Sequence, residues 1–247
     1  MNDLPRLYRD LSWIWPLLSP PEDYEEEAQV IVEEFERLGV ERGDRVLHLG
    51  SGGGSLDWHL KSKYEMAGVD FSESMAQHAA SVNPEVEYWH GDMREFRHEH
   101  VFEGVLIHDA IAYMTTHDDL AAVFASAAAH LNSGGGLVCL PEQLREQFVQ
   151  HEVEHQTHTA DGVSVTTVEV NYDPDPFDTV FETTFAYFIR RDGDLTVEID
   201  RHHMGIFPLG DYIAAARSAG FDVEAVEIPL SDMPPEKPYT LIVGRKR

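Results

Sequence analysis

The sequence predicts an α/β protein: a doubly wound, Rossmann-like seven-stranded sheet, with helices ahead of it and an antiparallel β-rich insert after its fifth strand. Three observations predict it. Short apolar runs alternate with helix-patterned segments over residues 45–142, the order in which parallel strands and right-handed crossover helices follow one another. The first run stops in a glycine cluster, "HLGSGGGS". Past Glu142 the chain turns β-rich, before a helical stretch and two more apolar runs close it.

Ahead of the alternation, "YEEEAQVIVEEFERLGV" predicts a helix. Ala28, Ile31, Val32 and Phe35 recur at helical spacing, Pro20, Pro21 and Asp23 precede them, and Gly39 supplies a stop. "RVLHLG" reads as a buried strand, with a helix after the glycines. "EMAGVD" is a second strand and "SESMAQHAASV" a helix with Ser72 as N-cap. "EVEYWHGD" and "FEGVLIHD" supply the third and fourth strands, "HDDLAAVFASAAAHL" a helix, and "GGGLVCLPE" the fifth strand. "GVSVTTVEVNY", "DTVFETTFAYFIRR" and "LTVEIDRHHMGIF" predict a meander with turns at "YDPDPFD" and "RDGD". "PLGDYIAAARSAGF" returns to helix with Gly220 as its stop, and "DVEAVEI" and "YTLIVGRKR" close the sheet. The expected division is 1–142 for the N-terminal helices and ligand-binding core, 143–207 for a β-rich cap, and 208–247 for the closing helix and strands.

Composition narrows the partners. With 247 residues, 43% of them hydrophobic, the chain can bury one sizeable core. A formal net charge of −27 repels phosphate backbones, which argues against a nucleic-acid partner. Scarce lysine (Lys61, Lys63, Lys237 and Lys246) among many acids fits a salt-adapted host. "MNDLPRLYRD" lacks the layout of a signal peptide, and "LSWIWPLL" is too short to span a bilayer, so no membrane partner is expected. The lone Cys139 fits a cytoplasmic location. The sequence specifies no oligomeric state.

Glycines at the carboxyl end of a parallel strand let the main chain approach a ligand, and the helix behind them offers free N–H groups. Gly50, Gly52 and Gly54 stand there. Asp70 ends the second strand twenty residues after Gly50, where a carboxylate can accept hydrogen bonds from ribose hydroxyls, and Asp92 follows the third strand. A dinucleotide fingerprint wants a glycine where Ser55 stands, so the tighter Gly-x-Gly-x-Gly suits a ligand without pyrophosphate. An NAD-dependent oxidoreductase is the fold-compatible alternative.

"VLHLGSGGG", "GVDFSESM", "GDMREF", "FEGVLIHDAIAYM" and "HLNSGGGLVCLPE" together resemble the successive motifs of the class I S-adenosylmethionine-dependent methyltransferases, with His48 where an acid is common and Ser51 where Cys is common. The resemblance implies S-adenosylmethionine as cofactor, S-adenosylhomocysteine as product, and methyl transfer to N or O of a small-molecule acceptor. It assigns Gly50, Ser51 and Gly52 to the methionyl part and counts Gly54 among the cofactor-binding residues. It gives Asp70 the ribose, Phe71 and Met75 the ribose–adenine border, Asp92 the adenine amino group, Met93 the ring face, and His108 the floor beneath the methionyl part. "PPEDYEEEA" and "HHMGIFPLGDYIAAARSAGF" are similar to stretches of the small-molecule members that dimethylate amino sugars. That subgroup sets a Tyr and a His near the acceptor amine; here Trp15 and Tyr113 align with them.

A general base helps when the acceptor is an ammonium or a hydroxyl. Asp109 and Tyr113, after the fourth strand, and His202 and His203, on the insert, are the candidates, with Asp109, Tyr113 and His203 carried forward as catalytic. A rival motif lies in "HEVEH": on a helix His151 and His155 would share a face and bind zinc beside Glu152, as in zinc peptidases, with His158 as a third imidazole. Fourteen histidines among many glutamates make the pattern an ordinary coincidence, and no metal site is expected. A non-catalytic S-adenosylmethionine-binding protein is a third reading.

Overall fold

The computed structural model describes residues 4–228, 230, 231 and 238–247; Lys237 lies outside them. Two short helical stretches lead in: α1 (Trp15–Leu18) and α2 (Glu25–Arg37). The alternating region follows as β1 (Arg45–Leu49), α3 (Ser55–Leu60), β2 (Glu65–Asp70), α4 (Glu73–Val82), β3 (Glu87–His90), β4 (Phe102–Ile107), α5 (His117–His130) and β5 (Leu131–Cys139). The insert is β6 (Val153–Ala160), β7 (Val163–Tyr172), β8 (Val180–Arg191) and β9 (Asp194–Gly205). The chain closes with α6 (Leu209–Ser218), β10 (Phe221–Ile228) and β11 (Tyr239–Lys246).

The seven-stranded sheet runs β3-β2-β1-β4-β5-β11-β10, parallel through its first five strands, with β11 antiparallel to β5 and β10. Winding reverses between β1 and β4, so a crevice opens beyond their carboxyl ends. Both faces are covered, because residues alternate sides along each strand. Leu47, Leu49, Val105 and Ile107 join Val123 and Phe124 of α5 on one side. Val46, Leu106 and Val138 join Ile31, Phe35 and Leu60 on the other. Phe35 and Phe124 are fully buried, and truncating either to Ala costs about 3–5 kcal/mol. Ser72 caps α4 as expected, its hydroxyl accepting from the Met75 N–H at 3.2 Å.

The insert departs from expectation in one respect. It is a four-stranded antiparallel sheet, β6-β7-β8-β9, not three strands. Ahead of it Arg145–Gln147 makes a single 3₁₀ turn. The N-terminal segment lies against this second sheet, with Leu7, Leu11 and Ile14 packed on Val165, Tyr187 and Ile189. It is pinned there by Arg6 on Glu198 (2.8 Å) and by the Leu7 N–H donating to Asp200 (2.7 Å). Among the described residues no helix is long and apolar enough to cross a membrane.

Candidate active site

A cavity of about 1110 Å³ lies between the carboxyl ends of the parallel strands and the inner face of the four-stranded sheet, with the N-terminal segment as a side wall. Its two halves differ in construction.

The first half is made by strand ends. Gly50 has φ +80, and a Cβ there would lie 2.3 Å from the Ala110 Cβ, so no side chain fits. The N–H groups of Gly50 and Ser51 donate to Val69 O at 2.8 and 3.0 Å. Asp70 is held by two main-chain donors, Gly52 N–H and Ser72 N–H, each at 2.8 Å. A carboxylate offers about four acceptor positions, so further capacity remains. Burial pushes the Asp70 carboxyl up against these two hydrogen bonds. His48 is fixed by Asp57, Nδ1 to Oδ1 at 2.7 Å, and Tyr88 donates to the other Asp57 oxygen at 2.9 Å. That leaves His48 Nε2, with Ser51 Oγ and Trp15 Nε1, buried without a partner among the described residues, and all three residues line the cavity. Unpaired buried polar atoms cost about 1–3 kcal/mol each. Such a wall suits a ligand with many polar groups, as an adenosyl amino acid has.

Phe71, Asp92, Met93 and His108 line the same cavity as Asp70. Asp92 is gripped by the Arg94 guanidinium at 2.6 Å, and Arg94 also reaches Asp119. Desolvation acts upward on the Asp92 carboxyl, but Arg94 overrides it and holds the group below the usual range. Gly54 and Met75 do not line the cavity. Gly54, φ +79, starts α3, and a Cβ there would come within 3.0 Å of the Ala79 Cα; its carbonyl accepts from Asn83 at 2.8 Å. The third glycine therefore permits close packing of α3 on α4. Met75 is buried beneath α4.

The second half is made by side chains. The turn Asp109–Tyr113 follows β4. The Tyr113 hydroxyl lies 2.9 Å from the Tyr8 hydroxyl and 2.8 Å from His202 Nδ1, and its single proton serves one of the two at a time. His202 Nε2 lies 3.1 Å from Asp200 Oδ2. Burial acts upward on the Asp200 carboxyl, but hydrogen bonds from His202 and the backbone outweigh it and keep the group low. An ionised Asp200 accepts from Nε2–H, which leaves Nδ1 as an acceptor facing Tyr113. His203 also borders the cavity, but it is exposed, 3.9 Å from Glu182, and takes no part in this chain of hydrogen bonds. Alternation along β9 explains the exchange, since neighbours on a strand face opposite sides.

Asp109 is already engaged. It accepts from the Tyr239 hydroxyl at 2.6 Å and lies 3.4 Å from His108 Nδ1. His108 also lies 3.0 Å from Glu27. Burial would lower the His108 imidazole, but the Asp109 and Glu27 carboxylates raise it to about 9, so it is an imidazolium at neutral pH. The N-terminal aromatic that meets Tyr113 is Tyr8 and not Trp15, which rests on the glycine loop: a Cβ at Gly53 would lie 2.2 Å from its Nε1.

Sequence reasoning missed Tyr8, Glu27, Glu142, Glu169, Tyr187, Asp200 and Tyr239. Asp200 carried a readable signal, because "DRH" sets it two residues from His202 on one strand face. The "HEVEH" segment has lost the geometry a zinc peptidase needs. His151 sits in a turn at φ +61, and His155 and His158 lie on β6 three residues apart, on opposite faces. Among the described residues no group of three His, Cys, Asp or Glu could hold a metal ion.

A family model described as "Methyltransferase domain" matches residues 46–135. The dTDP-3-amino-3,4,6-trideoxy-alpha-D-glucopyranose N,N-dimethyltransferase of Streptomyces venezuelae is 30% identical over 207 residues, covering 83% of this chain and 86% of that enzyme. The crystal structure of Streptomyces venezuelae DesVI superposes with a TM-score of 0.82 at 27% identity, covering 96% of each chain. SAM-bound CalS10, an amino pentose methyltransferase from Micromonospora echinaspora, has the same fold: TM-score 0.79 at 22% identity, covering 91% of this chain and 92% of that one.

Proposed function

This chain belongs to the S-adenosylmethionine-dependent methyltransferases, and from that premise we propose that the atom it methylates is a nitrogen of a small-molecule amine. The N,N-dimethyltransferase likeness spans 83% of the chain. The observation that carries the reading is the placement of Tyr8, Tyr113 and His202, backed by Asp200, in the same cavity as the glycine cradle.

In this reading Gly50, Ser51 and Gly52 hold the methionyl part, Asp70 the ribose, Phe71 and Met93 the adenosine faces, and Asp92 the adenine amino group; His108 underlies the methionyl part. S-adenosylmethionine, when bound, supplies an electrophilic methyl on a sulfonium. The protein's share is alignment, exclusion of water and proton removal, and placement alone is worth about 7–11 kcal/mol. An amine attacks only through a free lone pair and must shed a proton after transfer. Tyr113 takes that proton as its own passes to His202 Nδ1, and Asp200 stabilises the resulting imidazolium. The base assignment thus moves from Asp109 and His203 to Tyr113 with His202 behind it. The lone Cys139 and the acidic field support a cytoplasmic location and argue against a nucleic-acid partner.

Calorimetry with S-adenosylmethionine, S-adenosylhomocysteine and NAD in parallel, followed by transfer of labelled methyl to a panel of amines and alcohols, tests the proposal. Adenosyl ligands should bind and amines should take the label. Preference for NAD, binding without turnover, or label on alcohols alone would each overturn it.

A further inference from the structure

The inner face of the four-stranded sheet carries Glu169 on β7 directly opposite Glu154 on β6 in the antiparallel register. Like charges placed directly opposite destabilise a sheet. Glu142, just past β5, lines the same cavity. Among the described residues none of the three forms an ion pair, whereas Asp92 is paired with Arg94 and Asp109 lies beside His108. Desolvation and then neighbouring carboxylates push Glu169 up to about 7, and the same two causes act upward on Glu142, which is exposed toward the cavity. A separate observation sits beside them: the Tyr187 hydroxyl, on a residue 1% exposed, lines the cavity with no partner among the described residues. The converse holds for positive charge. Among the described lining residues the guanidinium groups are Arg9, exposed at the rim, and Arg94, committed to Asp92 and Asp119. No lysine lines the cavity among the described residues.

We propose that the acceptor is a small amine bearing at least one further ammonium group and no phosphate, the second ammonium being held by Glu142, Glu154 and Glu169 with the Tyr187 hydroxyl beside them. The proposal rests on the amine reading above and narrows it. The S. venezuelae relative is named for a dTDP-linked sugar, and a diphosphate would bring two negative charges into a half-cavity that holds three carboxylates, with Arg9 at the rim as the one uncommitted guanidinium among the described lining residues. A dication reverses every one of those interactions. It relieves the Glu154–Glu169 repulsion and places its reacting nitrogen on the Tyr113 side.

The test is calorimetric titration of the S-adenosylhomocysteine-loaded protein with spermidine and with thymidine 5′-diphosphate as probes. Because the whole surface is acidic, each titration is repeated on two double variants: Glu142→Gln with Glu169→Gln, and Glu87→Gln with Glu99→Gln on exposed surface away from the cavity. Saturable spermidine binding should weaken roughly tenfold or more in the first pair and stay unchanged in the second, with no binding of the diphosphate. Binding of the diphosphate but not the triamine, absence of triamine binding, or equal loss in both double variants would overturn the proposal. Binding of S-adenosylhomocysteine is read in the same experiment, so its failure strikes the methyltransferase reading itself and is separable from these outcomes.

Discussion

One cavity has two halves built by opposite means. The cradle half is main chain: strand tips, glycines and an aspartate held by N–H groups, all seated on a sheet buried on both faces. The cap half is side chain: tyrosines, an imidazole and carboxylates on a sheet with one face in solvent. Main-chain recognition tolerates change in side chains, as His48 and Ser51 show by standing where other residues are common. Side-chain recognition does not, and it is there that Tyr8, Tyr113 and His202 meet. The difference teaches where to look for conserved chemistry and where for specificity.

The sharpest attempt to break this contrast is Tyr113→Phe. Turnover should fall about 10²–10⁴-fold while calorimetric affinity for S-adenosylmethionine is unchanged; parallel loss of both would mean the halves are not separable. Next come the glycines. Gly50→Ala and Gly54→Ala should each cost about 1–3 kcal/mol in thermal unfolding, as both combine positive φ with a close neighbour. Only Gly50→Ala should also weaken S-adenosylmethionine, because Gly54 lies outside the cavity.

The pH dependence of stability sharpens the comparison further. His108, on the cradle side, is raised to about 9 when folded. Its contribution is therefore full below the ordinary value near 6.5 and is lost as pH climbs through 9. Glu169, on the cap side, is raised from about 4.5 to about 7. The folded state then holds the extra proton between those values, so stability falls as pH rises across that window. Glu169→Gln should add about 1 kcal/mol at pH 8 and nothing at pH 4, and His108→Asn should flatten the profile between pH 6.5 and 9. Smallest of all, Arg6→Ala at the partly exposed Glu198 pair should change chemical-denaturation stability by under about 1 kcal/mol.

The sheet was legible because strands such as "VLHL" and "GVLI" are buried on both faces and read as continuous apolar runs. Strand β6 was not, since "VEHQTHTA" is almost wholly exposed and shows no alternation. Glycine spacing located Gly50 and Gly52, but spacing alone does not say which glycine faces a ligand and which faces a helix, and Gly54 was misread for that reason. His202 and His203 are adjacent in the chain, so choosing between them required the register of β9. The meeting of Tyr8 with Tyr113 spans 105 residues and leaves no local trace.

The Leu7 N–H reaches Asp200 across 193 positions, and that single span orders events in time. The stretch carrying Tyr8 is made well before the ninth strand, so its anchor on Asp200 forms only after that strand has been made. A nascent chain halted anywhere before then would carry a finished glycine loop and an unfinished acceptor chamber. Closing that long loop is a late event in synthesis, so the wall shared by Tyr8 and the ninth strand is completed after the glycine loop.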